Sequence, residues 1–118
     1  MMTASIAMKQ ETAQWIEVGR IEEIPRLGAR VVTAPDGDIA VFRNNEDEVF
    51  ALLDRCPHKG GPLSQGIVYG RTVTCPLHNW CMHLDTGTAV APDEGCAALF
   101  PVKVENGVIF LSLQSNQP

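Results

Sequence analysis

The 118-residue chain is short of positive charge. Nine Lys and Arg residues are scattered with no basic run, against fourteen Asp and Glu and a formal net charge of −5. Nucleic acid is a poor partner for such a chain, because phosphate binding needs clustered cations that release counterions. No apolar stretch approaches the roughly 20 residues of a membrane-spanning helix, so no membrane partner is expected. Charged residues of either sign are sparse, at 19%. That is a little under the usual share of about 25% and sets the chain apart from disordered ones. There is no phosphate loop, no dinucleotide fingerprint and no Ser-His-Asp arrangement. A flavin or nicotinamide would have to bind on another polypeptide. The chain also has no internal repeat, no low-complexity block and no long amphipathic helix.

A secretory signal is missing too. Lys9 follows the weakly apolar patch at residues 6–8, whereas a signal places its positive charge ahead of an apolar stretch. Residues 1–14 read as a mobile leader, and a cytoplasmic location is expected. In a reducing cytosol the four cysteines would bind metal or stay free rather than pair.

What is present fits one domain, since the length is too short for two. Folding would bury roughly 65% of the unfolded chain's surface, enough for a core without a disulfide framework. The domain is expected over residues 15–114, with 115–118 as a tail. Short apolar runs are broken by Gly, Pro, Asn and Asp. Strands are expected at residues 15–18, 29–33, 39–42, 48–53, 71–74, 80–84, 100–104 and 108–113. One helical turn at 20–24 is stopped by Pro25. Runs 29–33 and 39–42 alternate and flank a Pro35-Asp36-Gly37-Asp38 turn. Asn106-Gly107 between β-branched runs is the best hairpin signal. The implied class is all-β, a small antiparallel sandwich or barrel rather than βαβ units.

Residues 56–70 interrupt this pattern. They are Gly- and Pro-rich, with hydrophobes that form no evident strand, and a loop of that length is uncommon unless it is held or functional. It opens with Cys56-Pro57-His58-Lys59-Gly60-Gly61-Pro62-Leu63, and a second loop reads Cys75-Pro76-Leu77-His78-Asn79-Trp80. The pattern is C-x-H, a gap of sixteen residues, then C-x-x-H. Two thiolates and two imidazoles on paired loops outline a metal site. Structural zinc accepts Cys₂His₂ but usually takes its cysteines from one pair and its histidines from the other. Here each loop offers one of each. A Rieske [2Fe–2S] cluster needs two cysteines on one iron and two histidines on the other. Proline after each cysteine stiffens the loops, and Gly60 and Gly61 let the backbone come close to sulfide. Leu63, Leu77 and Trp80 are candidates to keep water out.

With these boxes the chain resembles the Rieske domain family over nearly all of residues 15–113. Within it, the chain most resembles the small subunit of cytoplasmic NAD(P)H-dependent nitrite reductase. The residues behind that finer likeness are Cys75-Pro-Leu-His-Asn-Trp80, Leu84-Asp-Thr-Gly-Thr88 and Asp93-Glu-Gly-Cys96. The resemblance implies a Rieske-type fold with a two-loop cluster-binding subdomain and one cluster per chain, held by Cys56, His58, Cys75 and His78. It also implies a large partner subunit that carries FAD and sirohaem and reduces nitrite to ammonium with NAD(P)H. This chain would then be one subunit of an enzyme, without a catalytic centre for nitrite. Respiratory Rieske proteins of high potential carry a further cysteine in each box. The matching positions here are Gly61 and Leu77, so a low, ferredoxin-like potential is expected.

Two rivals remain at this stage. One is a free-standing Rieske ferredoxin serving an aromatic-ring dioxygenase, and the other is a non-redox interaction module with structural zinc. Cys81 and Cys96 read as small packing residues, His83 as an ordinary surface or core histidine, and Glu46-Asp47-Glu48 as a solvated turn. Lys59 suits a docking surface and a solvated position equally.

Overall fold

The turn residues and β-branched runs fold into ten strands among the described residues of a computed structural model. It describes residues 15–35, 37–57, 60–77 and 79–113. The expected leader and tail, and His58, Lys59 and His78, lie outside the described residues.

Strand β1 (Trp15–Arg20) leads into a 3₁₀ turn at Ile21–Glu23, so the turn expected before Pro25 is present. Strands β2 (Gly28–Ala34), β3 (Gly37–Arg43) and β4 (Val49–Leu53) follow as a meander. A second 3₁₀ turn, Leu63–Gln65, precedes β5 (Ile67–Tyr69), β6 (Thr72–Thr74) and β7 (Cys81–His83). The chain returns through β8 (Leu99–Phe100), β9 (Val102–Glu105) and β10 (Val108–Ser112). All pairings are antiparallel. They form three sheets in the orders β9-β10-β1, β2-β3-β4-β8 and β5-β6-β7. The β9–β10 hairpin turns at Asn106 and Gly107, with φ of 53° and 78°, the left-handed pair that an Asn-Gly turn supplies.

The four-stranded sheet is the middle layer. Ile39, Ala40, Val41 and Phe42 are all 0–1% exposed, so β3 does not alternate between core and solvent as expected. Its two faces serve two cores. Ala40, Phe42 and Leu52 join Leu63, Val68, Val73, Met82 and Leu84 on one side. Ile39, Val41, Ala51 and Phe100 join Ile24, Ile109 and Leu111 on the other. A strand buried on both faces reads as a continuous apolar run.

One further expectation is corrected and another refined. The 56–70 stretch contains strand β5, paired as Ile67↔Thr74 and Tyr69↔Thr72. Its Ile67 and Tyr69 are exposed and only Val68 is buried, so no apolar pattern marked it. At Glu46-Asp47-Glu48 the first two residues are exposed, as a solvated turn requires, while Glu48 is half-buried. Asn44 is 1% exposed; its side chain donates to Glu48 Oε1 (2.8 Å) and the Gly70 carbonyl (3.0 Å) and accepts from the Glu46 and Glu48 amides. Glu48 also takes two bonds from Arg71. The β3–β4 turn is thereby tied to the β5–β6 turn. Among the described residues, no helix is long and apolar enough to cross a membrane.

Candidate metal centre

Both Cys/His loops converge on one core. The first links the middle sheet to β5, and the second links β6 to β7. Cys56 and Cys75 are 1% and 0% exposed, lie in the same buried cluster and are unpaired as a disulfide. Burial pushes the Cys75 thiol up; the Leu77 N–H, 3.4 Å from Cys75 Sγ, pulls it back, and neighbouring Cys56 raises it further. Two buried thiols side by side, with an amide turned toward one sulfur, suit a soft metal and must lose protons to bind it.

Local hydrogen bonds set each loop's shape. Cys56 donates its N–H to the Gly61 carbonyl and accepts at its own carbonyl from Gly60, both at 2.8 Å. Gly60 has φ +73°, a conformation that favours glycine. In the second loop the Cys75 N–H donates to the Trp80 carbonyl at 2.6 Å. Gly61 is needed for space: a Cβ there would sit 2.9 Å from Leu77 Cγ and 3.1 Å from Cys75 Sγ. The positions matching the extra cysteines of respiratory Rieske proteins thus face each other across the loops, occupied by glycine and leucine.

A third segment touches both loops at one residue: a Cβ on Gly95 would lie 3.2 Å from Pro57 and 3.7 Å from Trp80. Of the three side chains expected to exclude water, Leu63 is fully buried, Trp80 is half-buried and Leu77 is 41% exposed. Cys81 is half-buried on β7, with Thr74 Oγ1 at 3.4 Å. Cys96, bridged to the half-buried Thr88, is exposed, contrary to the packing role expected of it. His83 is half-buried on β7.

Sequence reasoning missed one polar pair. Ser64 Oγ donates to Asp54 Oδ2 at 2.8 Å, and the Ser64 N–H donates to Asp54 Oδ1 at 2.7 Å. Nothing in a ten-residue separation announces that contact.

The Rieske [2Fe-2S] domain model matches residues 14–102. The chain belongs to the Rieske family. Its cofactor is therefore a [2Fe–2S] cluster, which supplies one-electron redox chemistry, and structural zinc is set aside. Among curated proteins, a 3-phenylpropionate/cinnamic acid dioxygenase ferredoxin subunit of Shigella flexneri is 40% identical over 101 residues, covering 83% of this chain and 92% of that one. An oxidoreductase of Pseudomonas putida is 27% identical over 89% of this chain, which spans only 19% of that longer protein. The fold matches the carbazole 1,9a-dioxygenase oxygenase–ferredoxin complex with TM-score 0.79 and 24% identity, covering 88% of this chain and 97% of that one. It matches equally a protein assigned as an NADH-dependent nitrite reductase small subunit of Mycobacterium tuberculosis, with TM-score 0.79, 21% identity, and 90% and 100% coverage. These structural likenesses concern the fold.

Proposed function

We propose that Cys56, His58, Cys75 and His78 hold the cluster, two from each loop, and that the chain is the electron-transferring small subunit of an NAD(P)H nitrite reductase. The ligand assignment is supported by the burial of Cys56 and Cys75 together, each opening a loop that carries one histidine. The partner assignment is carried by Gly95, within the Asp93-Glu-Gly-Cys96 stretch, lying against Pro57 and Trp80. The stretch that likens this chain to nitrite reductase small subunits sits beside the cluster loops, where a redox partner must approach. FAD, sirohaem and NAD(P)H belong on the large subunit, because this chain offers no fingerprint for them. The cytoplasm is the proposed location.

A second reading has its own support. The Shigella flexneri relative is a dioxygenase ferredoxin subunit of nearly the same length, so a ferredoxin serving an aromatic-ring dioxygenase shares fold and cluster and differs in partner. Co-purification of the native protein separates the two. The proposal expects a sirohaem-containing large subunit to come with it; an oxygenase in its place overturns the proposal. In the assembled enzyme, His78→Ala should abolish the cluster signal and slow nitrite reduction, and unchanged turnover would remove electron transfer from the account.

A further inference from the structure

Asp54 sits two residues before Cys56 and is fixed at both ends. Its backbone N–H donates to the Asp38 carbonyl of β3 at 2.9 Å. Its two carboxylate oxygens take the N–H and the O–H of one residue, Ser64, at 2.7 and 2.8 Å. Ser64 follows Leu63, which is fully buried in the same cluster as Cys56 and Cys75, and it opens the run into β5. We propose that Asp54 and Ser64 are positioning residues that latch the first cluster loop onto the middle sheet. The inference rests on the assignment of Cys56 as a ligand.

Among the described residues, the Cys56 backbone is bonded to Gly60 and Gly61, and these bonds shape the turn without tying it to the sheet. The Asp54 carboxylate ties it. One end of the loop leaves the sheet at residue 54 and the other returns at residue 64, so closing that pair fixes both ends of the chain that carries Cys56. It also fixes the depth of Leu63 beneath the thiols. A carboxylate suits the task because two acceptor oxygens match two donors, and hydrogen bonds to an ionised group are roughly twice as strong as neutral ones. Using the hydroxyl in this way also commits it to Asp54 and leaves it no proton to donate to a cluster sulfur.

The test uses the holoprotein and three variants, Ser64→Ala, Ser64→Thr and Asp54→Asn, with Cys56→Ser beside them. Iron release to a chelator is followed by the loss of visible absorbance, at a temperature where far-ultraviolet circular dichroism shows the sheets intact. Ser64→Ala should release iron about tenfold faster than the parent, the loss expected for a charge-assisted hydrogen bond. Ser64→Thr, which keeps the hydroxyl, should restore the parent rate, and Asp54→Asn should fall between. The reduced cluster's EPR line shape should broaden in Ser64→Ala and recover in Ser64→Thr. Parent-like release from Ser64→Ala, or no recovery with threonine, overturns the latch. Should Ser64→Ala fail to fold, hydrogen exchange of the parent decides. A Ser64 amide protected like those of β6 supports the latch, and one exchanging at a free loop's rate overturns it. A Cys56→Ser protein that kept its cluster would overturn the ligand assignment first, whatever the Ser64 variants did.

Discussion

The two cores of this molecule are built on different terms. Behind the middle sheet, Ile39, Val41, Ala51, Ile109 and Leu111 fill a core made by five- to seven-residue strands. In front of it, three strands of three residues each and the two cysteine loops enclose a core that includes Cys56 and Cys75. The rear core is held by apolar burial, at roughly 1.5–3 kcal/mol for each large side chain taken from water. The front core devotes two of its buried positions to thiols. To its apolar burial it adds polar brackets: Asp54 to Ser64, and Asn44 and Glu48 to Gly70 and Arg71. The cluster is expected to act there as the staple that short strands cannot supply.

The largest expected break in that contrast is Cys75→Ser. Visible absorbance and iron content should vanish, while hydrogen exchange in β10 stays near that of the parent. Protection lost equally in both cores would show that they are not separate. Leu111→Ala works from the other side. A fully buried leucine cut to alanine costs about 2–5 kcal/mol, so chemical denaturation should shift by that much while the cluster's absorption and EPR spectra stay unchanged. Gly61→Ala is milder. Its Cβ would push on the flexible tip of Leu77 and on Cys75 Sγ, an overpacking cost of about 1–3 kcal/mol. Chelator release should accelerate, with little change in the melting of the cluster-free protein.

The smallest effect lies in a surface ion pair outside both brackets. Hydrogen bonds from Arg26 and then Arg43 pull the Asp47 carboxyl from the usual 3.8 down to about 2. A carboxyl whose folded pKa is lowered adds stability above its unfolded value and loses it as pH falls toward the folded one. The parent should therefore lose melting temperature between pH 4 and pH 2 more steeply than Asp47→Asn, roughly the window these two values bracket. Equal slopes would show that the exposed pair contributes nothing, as many surface pairs do.

Much of this was legible in the chain. The Asn106-Gly107 hairpin, the 3₁₀ turn before Pro25 and the two C-x-H-type boxes each rest on local chemistry, and local chemistry is what a sequence displays. Strand β5 was hidden because its outward residues, Ile67 and Tyr69, are apolar and its neighbours are glycines. The double burial of β3 was hidden because alternation and continuous burial differ only in what packs on the second face. Asp54–Ser64 and Asn44–Gly70 were hidden for a plainer reason: each joins residues that only the finished fold brings together.

The central claim is one [2Fe–2S] cluster held by two cysteines and two histidines. EPR of the reduced holoprotein, compared with His78→Cys, tests it most directly. The account predicts a signal of low average g in the parent, the mark of imidazole on one iron, moving toward that of a four-cysteine ferredoxin as His78 becomes a thiolate. A parent signal already of the four-cysteine kind, or one that His78→Cys leaves unchanged, would contradict it.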